Sequence, residues 1–308
     1  MNDDEQSAFG FSGDAVEVAL DVRQEWDATG LTGAFVARNL DTGEELGFNP
    51  DASYPLASVV KLPLALVTLH LIAEGELCAD RPLELRPEDR TPGPTGSAGF
   101  RHPTTIALED LVYLMLAVSD NAAADAVFDL VPPRRVTDAL AQWGCDGVII
   151  RHPIRTLFDA IYAAAADERL AIELAIRATT GGGGHELPAL DVASASCGTA
   201  RGLVRLLDAI WTDSVSVPSA TERVRTFMGR QLTSNRVARE LASDAVQVAT
   251  KTGTFFNLRH DAGVVSTSSG DRIAVVALTA SSVPALLQPE ADRAIGYAAR
   301  EAVDVLRL

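Results

Sequence analysis

Strand-like runs lie near both ends of this 308-residue chain, and helical patterns fill most of the space between them. Residues 33–40 and 44–49 read as strands around the turn Asp41-Thr42-Gly43, a hairpin signal. Near the other end, residues 258–267 and 271–279 read as strands joined near Gly270, with the segment around Lys251 as a third. A helix over 14–28, with Asp14 available as its cap, and another over 289–306 enclose these runs. From about residue 79 to 240 the chain is helical and loop-rich, with helices expected at 105–117 and 121–130 and an alanine-rich helical stretch at 154–178. Strands from the two ends can share a sheet only if the termini come together. The expected class is therefore α/β (α+β), an antiparallel sheet flanked by terminal helices plus an all-helical domain. Residues 1–57 and 241–308 would form the discontinuous αβ domain, and 58–240 the helical one, with a lengthened loop region at about 150–195. Clefts tend to form at such a boundary.

Only two lysines occur in the chain, and 24 arginines carry the rest of the positive charge. Lys61 closes Ser58-Val59-Val60-Lys61, and Lys251 opens Lys251-Thr252-Gly253. Whatever bias placed arginine elsewhere left an amine at these two positions. The chemical difference is that lysine can be pushed to its neutral form by burial and neighbouring positive charge, whereas arginine stays protonated and cannot act as a base. An apolar helix expected over 58–74, ending at Gly75, puts Ser58 and Lys61 on one face a turn apart. Pro63 falls inside that helix, takes the intrahelical partner from the Val59 carbonyl, and predicts a bend near Ser58.

Between the two lysines lies Ser119-Asp120-Asn121. Taken singly, this triplet reads equally well as a helix cap and Lys-Thr-Gly as a strand end. The order SxxK, SDN, KTG is more specific, and on it the chain resembles the class A β-lactamases and penicillin-binding proteins. The resemblance implies a β-lactamase-like fold and acyl transfer through a serine ester. It implies Ser58 as nucleophile, Lys61 as its base, Ser119 as proton donor to the departing nitrogen with Lys251 beside it, and Asn121 as a hold on both the substrate's acylamino group and Lys61. The backbone amides of Ser58 and Thr254 would form the oxyanion hole. The substrate would be a small molecule whose carboxylate rests against Lys251, Thr252, Gly253 and Thr254, with Arg259 the nearest arginine able to reinforce that contact.

The rest of the composition limits partners. A formal net charge of −16 disfavours nucleic acid and anionic membranes. No apolar run is long enough to span a bilayer. The start, Met1-Asn2-Asp3-Asp4-Glu5, lacks the basic and apolar regions of a signal peptide, so the expectation is a cytoplasmic protein or one whose leader has been removed. Cys78, Cys145 and Cys197 show neither a disulfide framework nor zinc spacing and read as core thiols. No cofactor or metal motif is present. His185-Glu186 matches the opening of a zinc helix, but alanine stands at 189 where the second histidine is needed. His70, His102, His152 and His260 show no ligand spacing.

The resemblance breaks where the reaction is decided. Class A β-lactamases carry a glutamate, followed by leucine and asparagine three and four residues later, that directs water onto the acyl-enzyme. Here no asparagine occurs from Ala122 to Ser234, so that motif is absent, and the segment between SDN and KTG is longer than in the family. Glu186, after Gly181-Gly182-Gly183-Gly184, is the best-placed replacement acid, set against the alternative of an ordinary solvated loop residue. Three functions follow: a β-lactam hydrolase with slow deacylation, a cytoplasmic serine esterase or peptidase on another acyl donor, and a protein that binds a β-lactam-like ligand without turnover.

Overall fold

The computed structural model describes residues 13–164, 168–177, 184–243, 245–283 and 287–307. Helix α1 (Gly13–Ala28) leads into strands β1 (Leu31–Asn39), β2 (Glu45–Phe48) and β3 (Ser53–Pro55). A single 3-10 turn, Ala57–Val60, then passes directly into α2 (Lys61–Ala73). Strands β4 (Pro82–Leu85) and β5 (Thr104–Ala107) form a ribbon ahead of α3 (Leu108–Ala117), α4 (Asn121–Leu130) and α5 (Pro133–Gln142). After β6 (Val148–Ile149) come α6 (Arg155–Ala164), α7 (Glu168–Arg177), β7 (Cys197–Thr199), α8 (Ala200–Trp211) and α9 (Pro218–Met228). Strands β8 (Val246–Phe255), β9 (Leu258–Thr267) and β10 (Arg272–Ser281) precede the closing helix α10 (Pro289–Leu306).

Strands from the two ends do share one antiparallel sheet, in the order β2-β1-β10-β9-β8. Alternate residues serve its two faces, as the pleat requires. Phe35, Val265, Ile273 and Val275 pack under α1 and α10, where Trp26 donates its indole N–H to the Ala294 carbonyl at 3.2 Å. Val36, Ala262, Val264, Ala274 and Val276 face the helical body. With both faces covered, β9 and β10 are buried for nearly their whole length. The sheet ends at β8, which puts that edge strand beside the turn carrying Ser58.

Helix α2 runs through the helical body with ten of its thirteen residues buried, Lys61 among them. Burial on nearly all sides explains its largely apolar sequence, and each buried leucine contributes about 1.5–3 kcal/mol. The structure corrects the expected helix over 58–74: Ser58 lies in the 3-10 turn and α2 starts at Lys61. Pro63 thus sits in the first helical turn, where its missing amide is one of the donors that lack an intrahelical partner in any case, and no bend follows from it. The expected helix 105–117 is divided, because Thr104–Ala107 pair with β4 before α3 begins. In the helical stretch expected at 154–178, α6 and α7 cover the described residues, and 165–167 and 178 lie outside them. Cys145 and Cys197 are buried, but Cys78 is exposed and is not a core thiol. Gly181–Gly183 lie outside the described residues.

Candidate active site

Two short connections carry the reactive groups, and both are strained. Ala57, immediately before Ser58, has φ +48°, and Ser119 has φ +58°. A non-glycine residue held in this left-handed region stores roughly 1–3 kcal/mol, sustained only where the surroundings over-determine it. Three neighbours fix the turn at Ser58. The Leu56 amide donates to the Ser196 carbonyl at 2.9 Å, His260 donates from Nε2 to the Pro55 carbonyl at 2.7 Å, and Gly253 of β8 packs against Leu56 and Val59. A Cβ on Gly253 would lie 2.9 Å from the Leu56 carbonyl oxygen, so the third residue of Lys-Thr-Gly is glycine for close approach. His260 also accepts the Thr279 amide at Nδ1, which settles its tautomer, and burial pushes its pKa down to about 3.

Ser119 is positioned by α4. Asp120 caps that helix by accepting from the Ala123 amide at 3.1 Å and also accepts from the Ser97 amide and hydroxyl at 2.6 and 2.7 Å. Asn121 then projects from the first turn. Its Oδ1 accepts from Lys61 at 2.7 Å and its Nδ2 donates to the Pro92 carbonyl at 2.7 Å, so one amide N–H remains for a ligand.

These elements bring Ser58, Lys61, Ser119, Asn121 and Lys251 together. Lys61 Nζ is 3.1 Å from Ser58 Oγ, 2.7 Å from the Ser119 carbonyl and 3.3 Å from Ser119 Oγ. Lys251 reaches the same hydroxyl from the other side, at 3.1 Å. Both lysines are fully buried while Ser58 and Ser119 are half-exposed, so amines sit beneath hydroxyls that a ligand can reach. Burial pushes Lys61 down to about 7, against the pull of Asp120 and Asp125. Burial, with repulsion from Lys61 next, pushes Lys251 well below the ordinary lysine range. An amine near 7 can exchange a proton with a serine hydroxyl at neutral pH.

The carboxylate-binding expectation needs one correction. Arg259 is only 2% exposed, and its guanidinium donates to the Phe256 and Leu258 carbonyls at 2.6 and 2.9 Å. Arg236, which no sequence motif marked, is the arginine that touches the strand: its Nη2 donates to Thr254 Oγ1 at 2.8 Å and its Nη1 to the Gly253 and His260 carbonyls at 3.1 and 2.7 Å. Asp292 of α10 holds it at 2.8 Å. Because Thr254 accepts from Arg236, its own hydroxyl proton is free to donate, and the residue is exposed. Thr252 differs, since it is buried and its hydroxyl is 3.2 Å from Gln231 Oε1.

On the loop side, Glu186 is exposed, while His185 and Leu187 beside it turn inward. Leu187 and Leu190 pack against Ala57. Asp125 is buried and accepts from Thr91 and from the Ile154 and Arg155 amides at 2.7 Å, which ties the start of α6 to α4. His152 accepts the Ser196 amide at Nε2 (3.1 Å), and its Nδ1 is 3.1 Å from the Pro153 carbonyl, so neither ring nitrogen is spare. Among the described residues no cluster of three or more His, Cys, Asp or Glu side chains could hold a metal ion, and no helix is long and apolar enough to cross a membrane.

Residues 18–306 match the family described as the β-lactamase enzyme family. This chain belongs to that family. A curated relative, the β-lactamase regulatory protein BlaB of Streptomyces cacaoi, is 45% identical over 292 residues, covering 90% of this chain and 94% of its own. β-Lactamase VEB-1 of Pseudomonas aeruginosa is 30% identical over 95 residues, 30% of this chain and 32% of its own. Among solved structures, a β-lactamase from Sphaerobacter thermophilus superposes with TM-score 0.75 at 23% identity, covering 94% of this chain and 96% of that one. PBP-A does so with TM-score 0.75 at 19%, covering 94% and 95%. At these identities the likeness is one of fold, and the fold is that of the class A β-lactamases.

Proposed function

We propose that the protein is a serine acyl-transfer enzyme of the class A β-lactamase type, acylated at Ser58 by a β-lactam or a related amide or ester that carries a carboxylate, and that it deacylates slowly. The observation that supports acylation is Lys61, buried, 3.1 Å from Ser58 Oγ and pushed down to about 7. In its neutral form it takes the Ser58 proton as Oγ bonds to the substrate carbonyl carbon, and the backbone amides of Ser58 and Thr254 receive the oxyanion. When the tetrahedral species collapses, the C–N bond breaks and the leaving nitrogen takes the Ser119 hydroxyl proton. Lys61, which gained the Ser58 proton and lies 3.3 Å from Ser119 Oγ, restores it. The carboxylate would meet the Thr254 hydroxyl and the positive charge of Arg236 and Lys251.

Slow deacylation is supported by the loop side. Among the described residues the carboxylates whose fields reach Lys61 are Asp120 and Asp125, and both are tied to backbone amides rather than free to take a proton from water. The cavity behind Ala57 and Val60 holds about 10 Å³, barely one water, and its wall includes Ile154, Leu157, Ala189 and Leu258. A second reading, in which the long-lived acyl-enzyme acts as a sensor controlling a β-lactamase, is favoured by the regulatory name of the relative that is 45% identical.

Incubation with a fluorescent penicillin, and separately with an activated ester, followed by intact-mass and peptide mapping, tests both steps. The expected result is one adduct on Ser58 that persists for many minutes with penicillin. Labelling at another residue, or none with either donor, sinks the acylation assignment; fast steady turnover without an initial burst sinks slow deacylation. Labelling by the ester alone would point to an esterase.

A further inference from the structure

Gln231 belongs to none of the three motifs, yet it makes five hydrogen bonds around one of them. It follows α9 in a segment anchored by the Leu232 amide to the Ala117 carbonyl, two residues before Ser119. Its Oε1 accepts from the Thr252 amide at 2.8 Å, from Thr252 Oγ1 at 3.2 Å and from Lys251 Nζ at 3.3 Å. Its Nε2 donates to the Thr233 carbonyl at 3.0 Å and to Thr250 Oγ1 at 2.8 Å. The amide cannot be reversed, because the Thr252 N–H can only donate and the Thr233 carbonyl can only accept.

The oxygen end could equally be supplied by a carboxylate, and a glutamate there would neutralise Lys251. The neutral amide does not. Lys251 contacts Ser119 Oγ, Gln231 Oε1 and the Thr252 carbonyl, none of them charged. The charged groups around it are Lys61, Asp261 and Arg236. Arg236 is already paired with Asp292, while burial pushes Asp261 up to about 6, towards its neutral form. Among the described residues neither of these carboxylates bonds to Lys251, whose hydrogen-bond partners are all neutral.

We propose that Gln231 is a positioning residue that selects acyl donors bearing a carboxylate: it holds Lys251 against Ser119 and fixes Thr252 without cancelling the ammonium charge, so the compensating anion has to arrive with the substrate. The inference rests on the acyl-transfer reading and goes beyond it by assigning the selection to a residue outside the motifs.

The test compares acylation of the full chain by a penicillin and by an activated ester lacking a carboxylate, in the parent, Gln231→Glu and Gln231→Met, from pH 5.5 to 9. Gln231→Glu is expected to lower the ratio of penicillin to ester acylation efficiency about tenfold or more, through the half-saturating concentration rather than the maximal rate. The alkaline limb of its penicillin profile moves to higher pH, because a carboxylate beside Lys251 retains its proton. Gln231→Met keeps the side-chain length but loses every bond, so the maximal rate falls with both donors as Lys251 leaves Ser119. An unchanged donor ratio in Gln231→Glu, or parent rates in Gln231→Met, overturns the role, and where the glutamate variant does not fold the methionine variant decides alone. A parent acylated by neither donor overturns the acyl-transfer reading itself and this inference with it.

Discussion

The turn bearing Ser58 and the loop facing it from residues 148–197 are built by opposite means. Around Ser58 the protein buries two amines, leaves two hydroxyls reachable and holds two residues at positive φ. Across from it, three polar groups hold the loop's own backbone: Asp125 the Ile154 and Arg155 amides, His152 the Ser196 amide, and Ser196 Oγ the Arg151 amide. The first arrangement leaves buried amines beside reachable hydroxyls, whereas among the described residues of the second the groups left over include the buried His185 Nε2 and the exposed Glu186. What distinguishes a reactive site from a scaffold here is not the number of polar groups but how many of them the fold leaves unspent.

Four measurements would break or sharpen that contrast. The largest effect is expected from Lys61→Arg, which keeps the charge but not the neutral base and should lower acylation about 10²- to 10⁴-fold. A variant acylating near the parent rate would show that the Ser58 proton goes elsewhere. Next is pH. Lys61 is depressed to about 7, so it is protonated and inactive as a base below that value and neutral above it. Acylation should therefore rise with pH through about 7, losing about tenfold for each unit below it, as stopped-flow labelling would record. A flat profile from pH 5 to 8 contradicts the assignment of the reactive half.

Arg236→Gln should raise the half-saturating concentration of a penicillin about tenfold while leaving Asp292 with only the neutral Asn235 amide as a side-chain partner, at a stability cost of up to about 3–5 kcal/mol seen as a lowered melting temperature. Equal loss with a neutral ester would mean that the arginine only supports β8. The smallest effect is expected in the other region. Glu186 is exposed, so Glu186→Gln should change the slow phase less than about twofold. Loss of that phase with an intact burst would instead make Glu186 the base for water and erase the contrast.

Some of this was legible in the sequence and some was not, for physical reasons. The helix-flanked sheet could be read from local periodicity, and the grouping of Ser58, Lys61, Ser119, Asn121 and Lys251 from the resemblance that the ordered motifs SxxK, SDN and KTG carry. Arg236 could not, since its role is set by Asp292 on the last helix and by carbonyls of two strands. Arg259 was misjudged because alternation separates inside from outside only when one face of a strand is wet, and β9 is buried on both. Thr104 and Thr105 resemble the start of a helix locally, and only the distant partner β4 makes them a strand. Pro63 predicted a bend until the helix start moved to Lys61, which made its missing donor inconsequential.

His260 joins the Pro55 carbonyl to the Thr279 amide and refuses a proton until about pH 3. The unfolded chain accepts that proton at the ordinary histidine value of about 6.5, so between these two values acid draws the protein towards the unfolded state by about 1.4 kcal/mol per pH unit from this one ring. Within the folded population the ring does not titrate over that range. Acidification therefore thins the number of folded molecules without loosening the nucleophile in those that remain, a division that His260→Gln, carrying a donor and an acceptor that never ionise, would remove from the acid unfolding curve.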